Sequence, residues 1–549
     1  MTIYISDAQN TTQTLNDSLV VERSGIVRAG PTAIDGSSGS FAVKIFGSVY
    51  GIGNAITVGD ASYVGVGSTG LVYAEANAIS IGVQAIVQND GLIATPHGRT
   101  GTGILAAGFN SRITNTGSIE AYCGIRVGMG TSQETVVNAG RISSIDGYGI
   151  DVNGAGWITN SGSIHSIEGI GIRIGNTPSG RSSVIDNTGT LYARTAIEGS
   201  ERSDVVNNSG SITGVIDLGD GNDRYEGASG VFSGSALLGS GNDTMRGGAM
   251  SETVSGGAGD DLIDGGAGNA DSVLFQGSGN IRVDLRLTGP QQTGEGFDTL
   301  INIEHVYTGA GQDRLIGDGQ DNGFHGGDGN DILDGGLGDD TLYGGDGIDT
   351  LVFSGRTGAT LNLNLVQVKQ NTGHGLDIIS DIENVGGGSG ADRLTGDGHA
   401  NLLSGNDGKD RLSGGSGNDT LKGGTANDIL AGGAGVDVFA FNAKLGTAKT
   451  DRKVNLDTIR DFRAQDDSLW LDNRYFSKLG AKGSEKAPAK LKSSYFREGK
   501  ARDKNDYLLY DRKTGILSYD ADGSGSKQAI EFAKLSNKTK LTASDFFVV

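Results

Sequence analysis

The chain has 549 residues, of which 96 are glycine and only 5 are proline, and it carries a formal net charge of −21. A collagen-like chain is excluded because collagen needs abundant proline together with glycine at every third position. The single cysteine, Cys123, rules out an internal disulfide, and no apolar run is long enough for a membrane-spanning helix. The first residues also lack the basic and apolar segments expected of a cleavable signal peptide.

A phrase of the form Asn-x-Gly-x-Ile recurs through residues 1–215. Copies start at Asn115, Asn138, Asn160, Asn187 and Asn208, and degenerate copies start at Arg23, Ile45, Ser68 and Asn89. A second phrase that alternates apolar and polar residues, such as Gly124-Ile-Arg-Val-Gly128, lies within many of these units. Short alternating strands separated by Gly/Asn turns predict a parallel β-helix for residues 1–215. We expect the stacked asparagines to form a ladder of side-chain amides.

Residues 216–440 repeat the sequence Gly-Gly-x-Gly-x-Asp and carry a net charge of −23. The seven copies begin at Gly256, Gly326, Gly335, Gly344, Gly387, Gly414 and Gly432. The strand phrase Val215-Ile-Asp-Leu-Gly219 runs directly into the first acidic turn, Asp220-Gly-Asn-Asp223. We therefore expect one continuous stack through this join, without a flexible linker.

The acidic residues keep a strict phase, with aspartates at 313, 331 and 349 and again at 392, 410 and 428. If each repeat is half a coil, residues eighteen apart stack, and each stacked pair can share a cation. Carboxylate oxygens and carbonyl groups on tight glycine turns are the ligands that Ca²⁺ prefers. We predict side-chain ligands at Asp243, Asp261, Asp313, Asn322, Asp331, Asp340, Asp349, Asp392, Asn401, Asp410, Asp419, Asp428 and Asp437. The predicted turn ligands are Gly327, Gly329, Gly336, Gly338, Gly345, Gly347, Gly388, Gly390, Gly415, Gly417, Gly433 and Gly435.

Two segments of this array, near residues 272–307 and 353–386, lack the acidic turn motif. Residues 296–322 are similar to residues 375–401, which indicates an internal duplication. In the second segment, alternating Leu361, Leu363 and Leu365 predict a strand with a bulge or an end near Leu365. The array is therefore expected to form a β-roll interrupted by two strand insertions.

Residues 441–549 contain less glycine, carry a net charge of +7, and read as a series of short strands. Within them, the phrase Asp520-Ala-Asp-Gly-Ser-Gly525 matches part of an EF-hand loop, since Gly525 takes position six and Glu531 takes position twelve. The flanking residues alternate as strands, so a hairpin turn is the favoured interpretation and an EF-hand loop is the alternative.

These repeats and the segment after them resemble the RTX, or hemolysin-type calcium-binding, proteins of Gram-negative bacteria. The C-terminal part is similar to the domain shared with serralysin-like proteases, and its final residues, Asp545-Phe-Phe-Val-Val549, resemble the end of type I secretion substrates. The resemblance implies several bound Ca²⁺ ions and export by a type I ABC transporter. The long-period repeat of residues 1–215 resembles the β-helical passenger regions of adhesins and autotransporters.

No catalytic residue is predicted with a defined role. The histidines do not form the His-Glu-x-x-His motif of a zinc protease, and a Gly-x-Ser-x-Gly elbow is absent. The alternative function is a polysaccharide lyase or epimerase acting on the face of the β-helix. Its candidate residues are Asp146, Tyr148, Asp151, His165 and Glu168.

The sequence therefore predicts an all-β protein in three parts: a parallel β-helix at 1–215, a calcium-binding β-roll at 216–440, and a secretion domain at 441–549. We expect a secreted structural or adhesive protein, located outside the cell or at its surface, that meets a cell-surface glycan or a host or matrix receptor. Nucleic acid is not an expected partner, because no basic face appears before residue 441.

Overall fold

The computed structural model describes residues 3–96, 100–128, 134–176, 181–447, 449, 451–480 and 483–549, without the side chains of 451 and 452. The chain is a β-solenoid, which confirms the predicted all-β class. The described helices are short and comprise Asp451–Val454, Ser493–Tyr495 and Ala543–Asp545. The chain divides into two compact units, Met1–Gln276 with Leu287–His305, and Gly277–Arg286 with Val306–Val549. This division falls within the strand His305–Tyr307.

In unit 1, the coils up to residue 240 contribute strands to three columns, later coils lack the second column, and neighbouring coils pair in parallel. The first column contains Ile3–Ile5, Leu19–Val21, Ala42–Ile45, Tyr63–Val66, Ile86–Asn89, Arg112–Asn115, Glu134–Asn138, Gly156–Asn160, Val184–Asn187, Val205–Asn208, Arg224–Glu226, Thr244–Arg246, Leu262–Asp264 and Phe297–Ile301. The second contains Ala8–Gln9, Ile26–Ala29, Ser48–Gly51, Leu71–Ala74, Leu92–Ala94, Ser118–Glu120, Arg141–Ser144 and Val231–Ser233. The third contains Gln13–Thr14, Thr32–Gly36, Asn54–Val58, Asn77–Ile81, Thr102–Ala106, Cys123–Val127, Tyr148–Val152, Ser235–Ser240, Thr253–Ala258 and Ser272–Leu274. Three long strands, Ser163–Ile174, Thr190–Ser200 and Ser211–Gly219, bend to serve both the second and the third column.

The core of unit 1 is built from side chains that alternate inward along each strand and stack on the equivalent side chain of the next coil. One such inward line in the first column consists of Leu19, Val43, Val64, Val87, Ile113, Val136, Ile158, Ile185, Val206, Tyr225, Met245, Ile263 and Leu300. All of these side chains are buried. Burial of so many β-branched and aliphatic groups provides the main stabilisation of the stack.

A second inward line in the first column holds the predicted asparagine ladder. The Nδ2 of each asparagine donates to the Oδ1 of the next, at 2.7 Å for Asn89 to Asn115 and 2.8 Å for Asn138 to Asn160. The remaining steps join Asn115 to Asn138, Asn160 to Asn187 and Asn187 to Asn208. In the first coils the same position holds Val21, Ile45 and Val66, so the degenerate copies placed at Arg23 and Ser68 are wrong by two residues.

The stack continues through the join near residue 215, as expected. Ser211–Gly219 pairs in parallel both with Thr190–Ser200 before it and with Ser235–Ser240 after it. Beyond this point the coils shorten, and successive equivalent residues such as Met245 and Ile263 lie eighteen apart. Unit 1 also contains the antiparallel hairpin Gln291–Gln292 and Phe297–Ile301, whose second strand pairs with Leu262–Asp264.

Unit 2 is assembled from the short acidic coils and the C-terminal strands. One sheet contains Arg282–Asp284, Arg314–Ile316, Ile332–Asp334, Thr350–Val352, Asn384–Gly386, Leu402–Ser404, Thr420–Lys422, Val438–Phe441, Ser468–Leu471, Phe546–Val548 and Ala489–Lys490. Opposite it lie Ala310–Gly311, Gly323–Gly329, Thr341–Gly347, Leu376–Ser380 and Gln370–Asn371. A further sheet contains Thr360–Asn362, Arg393–Thr395, Arg411–Ser416, Ile429–Ala434, Asp457–Ile459, Ile530–Leu535, Ile516–Tyr519, Leu508–Asp511 and Phe496–Glu498.

Two local predictions in unit 2 have different outcomes. The strand predicted from the leucine alternation is wrong beyond Asn362, because the chain turns there and the N–H of Leu365 bonds back to the carbonyl of Asn362. Leu363 stays buried, whereas Leu365 is exposed. The hairpin predicted around Asp520 is confirmed, since Ile516–Tyr519 pairs antiparallel with Ile530–Leu535.

The asparagine ladder gives a direct test of how unit 1 is stabilised. Replacing Asn138 with alanine would leave the Nδ2 of Asn115 and the Oδ1 of Asn160 buried without their partner. We expect Asn138→Ala to lower the free energy of unfolding by about 1–3 kcal/mol. Urea denaturation of the calcium-loaded chain measures this loss. Asn207→Ala is the control, because Asn207 is exposed and its amide donates to Asp186 on the outer face. Equal effects of the two substitutions would contradict the assigned role of the ladder.

Candidate metal centre

The turns of the acidic coils require glycine because successive turns stack in very close contact. Gly327 and Gly329 have φ angles of 91° and 137°, which are left-handed conformations. A Cβ on Gly329 would collide with the carbonyl oxygen of Gly311 in the preceding coil. Left-handed φ values also occur at Gly336, Gly338, Gly345, Gly347, Gly415, Gly417, Gly433 and Gly435, but not at Gly388 and Gly390.

Aspartates in equivalent positions of successive coils are linked through the backbone. The N–H of Asp313 donates to Oδ1 of Asp331 at 2.8 Å, and the N–H of Asp331 donates to Oδ1 of Asp349 at 2.7 Å. The same bond joins Asn322 to Asp340, Asp392 to Asp410, Asp410 to Asp428, Asn401 to Asp419, Asp419 to Asp437 and, in unit 1, Asp243 to Asp261. These aspartate columns therefore satisfy one oxygen of each linked carboxylate with a backbone donor.

The second carboxylate oxygen in most of these residues is buried without a hydrogen-bond partner among the described residues. The unpartnered atoms are Oδ2 of Asp223, Asp243, Asp261, Asp271, Asp313, Asp331, Asp349, Asp392, Asp410, Asp419, Asp428 and Asp437, and Oε2 of Glu252. An ionised oxygen buried in this way is unfavourable unless a cation or a proton neutralises it. A repeated line of such atoms is the strongest indication of a cation-binding structure in this protein.

Backbone carbonyl groups converge on the same positions. The face of Gly326, where a side chain would begin, is flanked by Oδ2 of Asp331 and by the carbonyl oxygen of Gly344. Equivalent pairs flank Gly387, Gly405 and Gly414, formed by Asp392 with Gly405, Asp410 with Gly423 and Asp419 with Gly432. Carboxylate and carbonyl oxygens are the hard donors that suit Ca²⁺, so the residues present fit this ion.

The two predicted asparagine ligands are arranged differently from the aspartates. Oδ1 of Asn322 accepts the N–H of Asp318 at 2.9 Å, and Oδ1 of Asn401 accepts the N–H of Asp397 at 2.8 Å. Neither side chain leaves an unpartnered oxygen, and neither carries charge. These two positions thus contribute less attraction for a cation than the aspartates in the same columns.

A cation bound here would depend on backbone carbonyls as much as on side chains. Within the described part of the chain, no group of three or more His, Cys, Asp or Glu side chains is arranged to hold a metal ion. Each position offers one or two carboxylates, and glycine carbonyl oxygens must complete the ligand set. This ligand set favours a hard, oxygen-seeking ion over zinc or copper.

Burial changes the acidity of the column carboxyl groups. Desolvation raises the pKa of Asp340 to about 8, of Asp261 and Asp410 to about 7, and of Asp349 and Asp428 to about 6. Neighbouring carboxylates add to the shift, as Asp377 and Asp321 do for Asp340. Without a cation, several of these groups therefore hold a proton near neutral pH.

The structure extends the columns to Asp223, Asp271, Asp298 and Asp377, which the nine-residue spacing did not predict, whereas Glu252 keeps that spacing with Asp243 and Asp261. In unit 1, the N–H of Asp223 donates to Asp243, and the N–H of Glu252 donates to Asp271, both at 2.7 Å. At the insertions, Asp298 and Asp377 continue their columns, and each carboxylate accepts a bond from a threonine hydroxyl, of Thr293 and Thr372 respectively. The sequence signal for these threonine-bonded aspartates is the repeated Thr-Gly-x-Gly-x-Asp, at Thr293 and Thr372.

The residues considered for a polysaccharide enzyme are only partly brought together. Asp146, Tyr148 and Glu168 line one cleft of unit 1 with a volume of about 330 Å³. Asp151 lies apart from the cleft lining, buried between Arg126 and Arg173. His165 packs edge-on against Tyr192, with ring centroids 4.8 Å apart.

The raised pKa values predict how pH affects the cation-free protein. Between about pH 4 and about pH 8 the unfolded chain releases protons that the folded columns retain, so stability is present at low pH and lost as pH rises through the folded values. We expect the thermal midpoint of metal-stripped protein to fall over this range. Thermal melts followed by circular dichroism measure the midpoint, and Asp340→Asn should make the midpoint depend less on pH. A midpoint that rises with pH would contradict the assigned cause.

Comparison with known protein families identifies the acidic coils. A family model described as the RTX calcium-binding nonapeptide repeat, in four copies, matches residues 238–269, 303–333, 321–351, 385–412 and 404–439. The matched segments contain the glycine turns and most of the aspartate columns described above. Binding of Ca²⁺ by these repeats follows from the family and agrees with the oxygen donors present.

Other comparisons add little. Among solved structures, the extracellular lipase LipA from Serratia marcescens matches at 17% sequence identity and a TM-score of 0.18, over 51% of this chain and 45% of the lipase chain. The chain thus spans less than half of that protein, and such a TM-score says nothing about activity. No curated protein matches the sequence. Within the described residues, no helix is long and apolar enough to cross a membrane. The chain therefore carries RTX calcium-binding repeats within a β-solenoid.

Proposed function

We propose that this protein is a secreted structural or adhesive protein whose acidic coils complete their folding on calcium after export. The observation that supports this proposal most strongly is the line of buried, unpartnered carboxylate oxygens in the aspartate columns. One oxygen of each linked carboxylate accepts a backbone N–H, whereas the second oxygen of most of them has no hydrogen-bond partner among the described residues. Above the raised pKa values these groups ionise, and the fold then needs bound cations to neutralise them.

The charge of the acidic coils makes the folding step conditional. Residues 216–440 carry a net charge of −23, and folding brings their aspartates into lines one coil apart. A bound Ca²⁺ supplies the positive charge that removes this repulsion, and extracellular calcium modules bind the ion at about 10⁻⁴–10⁻³ M. Once folded, the glycine turns hold carbonyl and carboxylate oxygens in place around the ion.

Calcium binding by one column can be tested with two substitutions in the same turn. Asp349 is buried and has an unpartnered Oδ2, whereas Asp346, three residues earlier, is exposed. We expect Asp349→Ala to raise the calcium concentration needed for half-maximal folding by on the order of tenfold, or ~1.4 kcal/mol. We expect Asp346→Ala to leave it nearly unchanged.

Circular dichroism of the full chain during calcium titration at about pH 8, where the raised pKa values allow ionisation, provides the measurement. The β-sheet signal of the acidic coils should increase with calcium and be reversed by a chelator. An equal signal in calcium and in excess chelator would reject calcium-dependent folding. An equal effect of the two substitutions would reject the assigned ligand.

The export proposal concerns the terminal segment, whose residues resemble those of type I secretion substrates. In the folded chain, Phe546 and Val548 are fully buried, and the strand Phe546–Val548 pairs in parallel with Ser468–Leu471. The proposed signal is therefore accessible only before folding. This agrees with a transporter that takes an unfolded chain from a cytosol low in calcium.

Export can be separated from folding by comparing a truncation with a destabilised sheet. We expect deletion of residues 545–549 to retain the chain in cells that carry a type I transporter, because the recognised segment is missing. Leu469→Ala weakens the same sheet, since Leu469 is buried and pairs with Phe546, and it should still be exported. Immunoblots of medium and cells give the ratio of exported to retained chain. Normal secretion of the truncated chain would move the signal to another part of residues 441–544.

A further inference from the structure

Polar side chains on one outward line of the first column in unit 1 are joined from coil to coil. Asp186 pairs in register with Asn207, and Asn207 with Glu226. The Nδ2 of Asn207 donates to Oδ1 of Asp186 at 2.8 Å. The indole Nε1 of Trp157, one coil earlier, donates to Oδ2 of the same carboxylate at 2.9 Å. Asp186 therefore holds an indole ring on one side and an amide group on the other.

Both groups that Asp186 holds keep a free surface. The exposed fraction of Trp157 is 49%, and its one polar atom is already bound, so the open part of the side chain is an apolar ring. Within the described residues, no donor reaches the Oδ1 of Asn207. A flat apolar ring and an oriented acceptor thus lie on either side of one carboxylate, before any ligand arrives. Groups held in this way lose less entropy when a ligand binds.

A cleft of about 400 Å³ opens beside this line, at the turns that lead from the first to the second column. These turns are named here the first corner. The cleft is lined by Asp186, Asn207 and Glu226 of the outward line and by Thr188, Ser209 and Ser229 of three successive turns. All residues of these three turns lie within the described range 181–447.

The third of these turns is longer than the turn before it. Register joins Asn207 to Glu226 before the two turns and Ser211 to Val231 after them, so the third turn contains one more residue. The longer turn borders the cleft at the end nearer the acidic coils. A change in turn length therefore breaks the otherwise even surface of the corner.

The hydrogen-bonding groups available at the cleft belong to side chains. The hydroxyl groups of Thr188, Ser209 and Ser229 make no hydrogen bond within the described residues, and each can both donate and accept. In contrast, the N–H of Thr188 bonds to the carbonyl of Asn160, and the N–H of Ser209 bonds to that of Asn187. The strands that precede these turns are also paired on both sides. An extended peptide, which binds a sheet edge through its backbone, finds no open strand in this part of the described chain.

The charges around the cleft balance. Oε1 of Glu226 accepts from Nη2 of Arg224 at 2.7 Å and from Nη1 of Arg246 at 2.8 Å, so both guanidinium groups are paired. The carboxylates of Asp186 and Glu226 match these two cations. No lysine or arginine is among the described residues that line the cleft. A uronate polymer or a nucleic acid therefore finds no unpaired cation there.

These groups suit a neutral ligand that is rich in hydroxyl groups. The C–H face of a sugar ring packs on the indole of Trp157, as apolar surfaces do on aromatic rings. Its hydroxyl groups donate to Oδ1 of Asn207 and exchange hydrogen bonds with the threonine and serine hydroxyls. The three coil steps from Trp157 to Glu226 span roughly 14 Å, at about 4.8 Å for each coil.

We propose that the first corner of unit 1, from Trp157 to Ser229, binds a short neutral oligosaccharide that lies along the solenoid axis. This inference rests on the proposed adhesive function and names its class of ligand.

Tryptophan fluorescence provides a local readout, because the chain contains only two tryptophans, Trp157 and Trp470. In Trp470→Phe, emission reports on Trp157 alone. The calcium-loaded full chain is titrated with maltotriose, cellotriose and chitotriose, with trigalacturonate as the charged comparison, both by fluorescence and by isothermal titration calorimetry. We expect one of the neutral trisaccharides to bind and to shift the Trp157 emission with the affinity that calorimetry gives.

Two substitutions examine the two sides of the site. We expect Trp157→Ala, followed by calorimetry, and Asn207→Ala each to weaken the binding about tenfold, because they remove the ring surface and the acceptor. Phe46→Ala is the matched control and should bind normally. Phe46 is an aromatic residue that is 40% exposed at the same corner, five coils before Trp157.

Four outcomes would overturn the proposal: no binding of any of the three neutral trisaccharides, equal or tighter binding of trigalacturonate, binding without a change in Trp157 emission, or an equal loss of binding in Phe46→Ala. Circular dichroism of the same samples, with calcium and with chelator, reports separately on calcium-dependent folding. A chain that folds with calcium and binds none of the neutral trisaccharides overturns only the saccharide site.

Discussion

A polar side chain buried at the same position of every coil must find its partners in the coils directly before and after it. In unit 1 the position holds asparagine, whose amide both donates and accepts, so Asn115, Asn138 and Asn160 satisfy one another. In the acidic coils a comparable position holds aspartate, which only accepts. The backbone N–H of the preceding coil satisfies Oδ1, and Oδ2 is left for a cation. Replacing NH₂ by O⁻ in a stacked line thus turns a self-sufficient ladder into a cation-dependent one.

The ends of the acidic columns follow the same rule. At Asp298 and Asp377 a threonine hydroxyl donates to the second carboxylate oxygen. At the N-terminal end of one column, Asp204 accepts bonds from Ser200 and Ser183. The column that runs from Asp204 to Asp298 therefore begins and ends on carboxylates that are satisfied by protein donors. The columns that begin at Asp313 and Asp392 differ, because the Oδ2 of each first aspartate is already unpartnered.

The outer surface of unit 1 is free of this constraint because outward side chains face solvent. Tyrosine, arginine and acidic residues can vary there without disturbing the inward lines of Val, Ile and Asn. The register that builds the core also repeats outward positions one coil apart, as it does for Tyr50 and Tyr73. The Arg126–Asp151–Arg173 group is an exception, since its buried carboxylate holds Tyr148 in place.

The sequence by itself determined the repeat periods, the parallel stacking, the asparagine ladder from Asn89 onward and the phase of the aspartates at 313, 331 and 349. These features follow from local spacing, because a solenoid places residues one period apart in contact. Only the tertiary structure decided where the period changes. Asp298 and Asp377 join columns across insertions whose length no fixed spacing predicts, and the strand at Thr360–Asn362 ends at a turn that the leucine pattern hides. The cleft that contains Asp146 and Glu168 likewise depends on coils of unequal length, which bring Tyr122, Asp146 and Arg194 side by side.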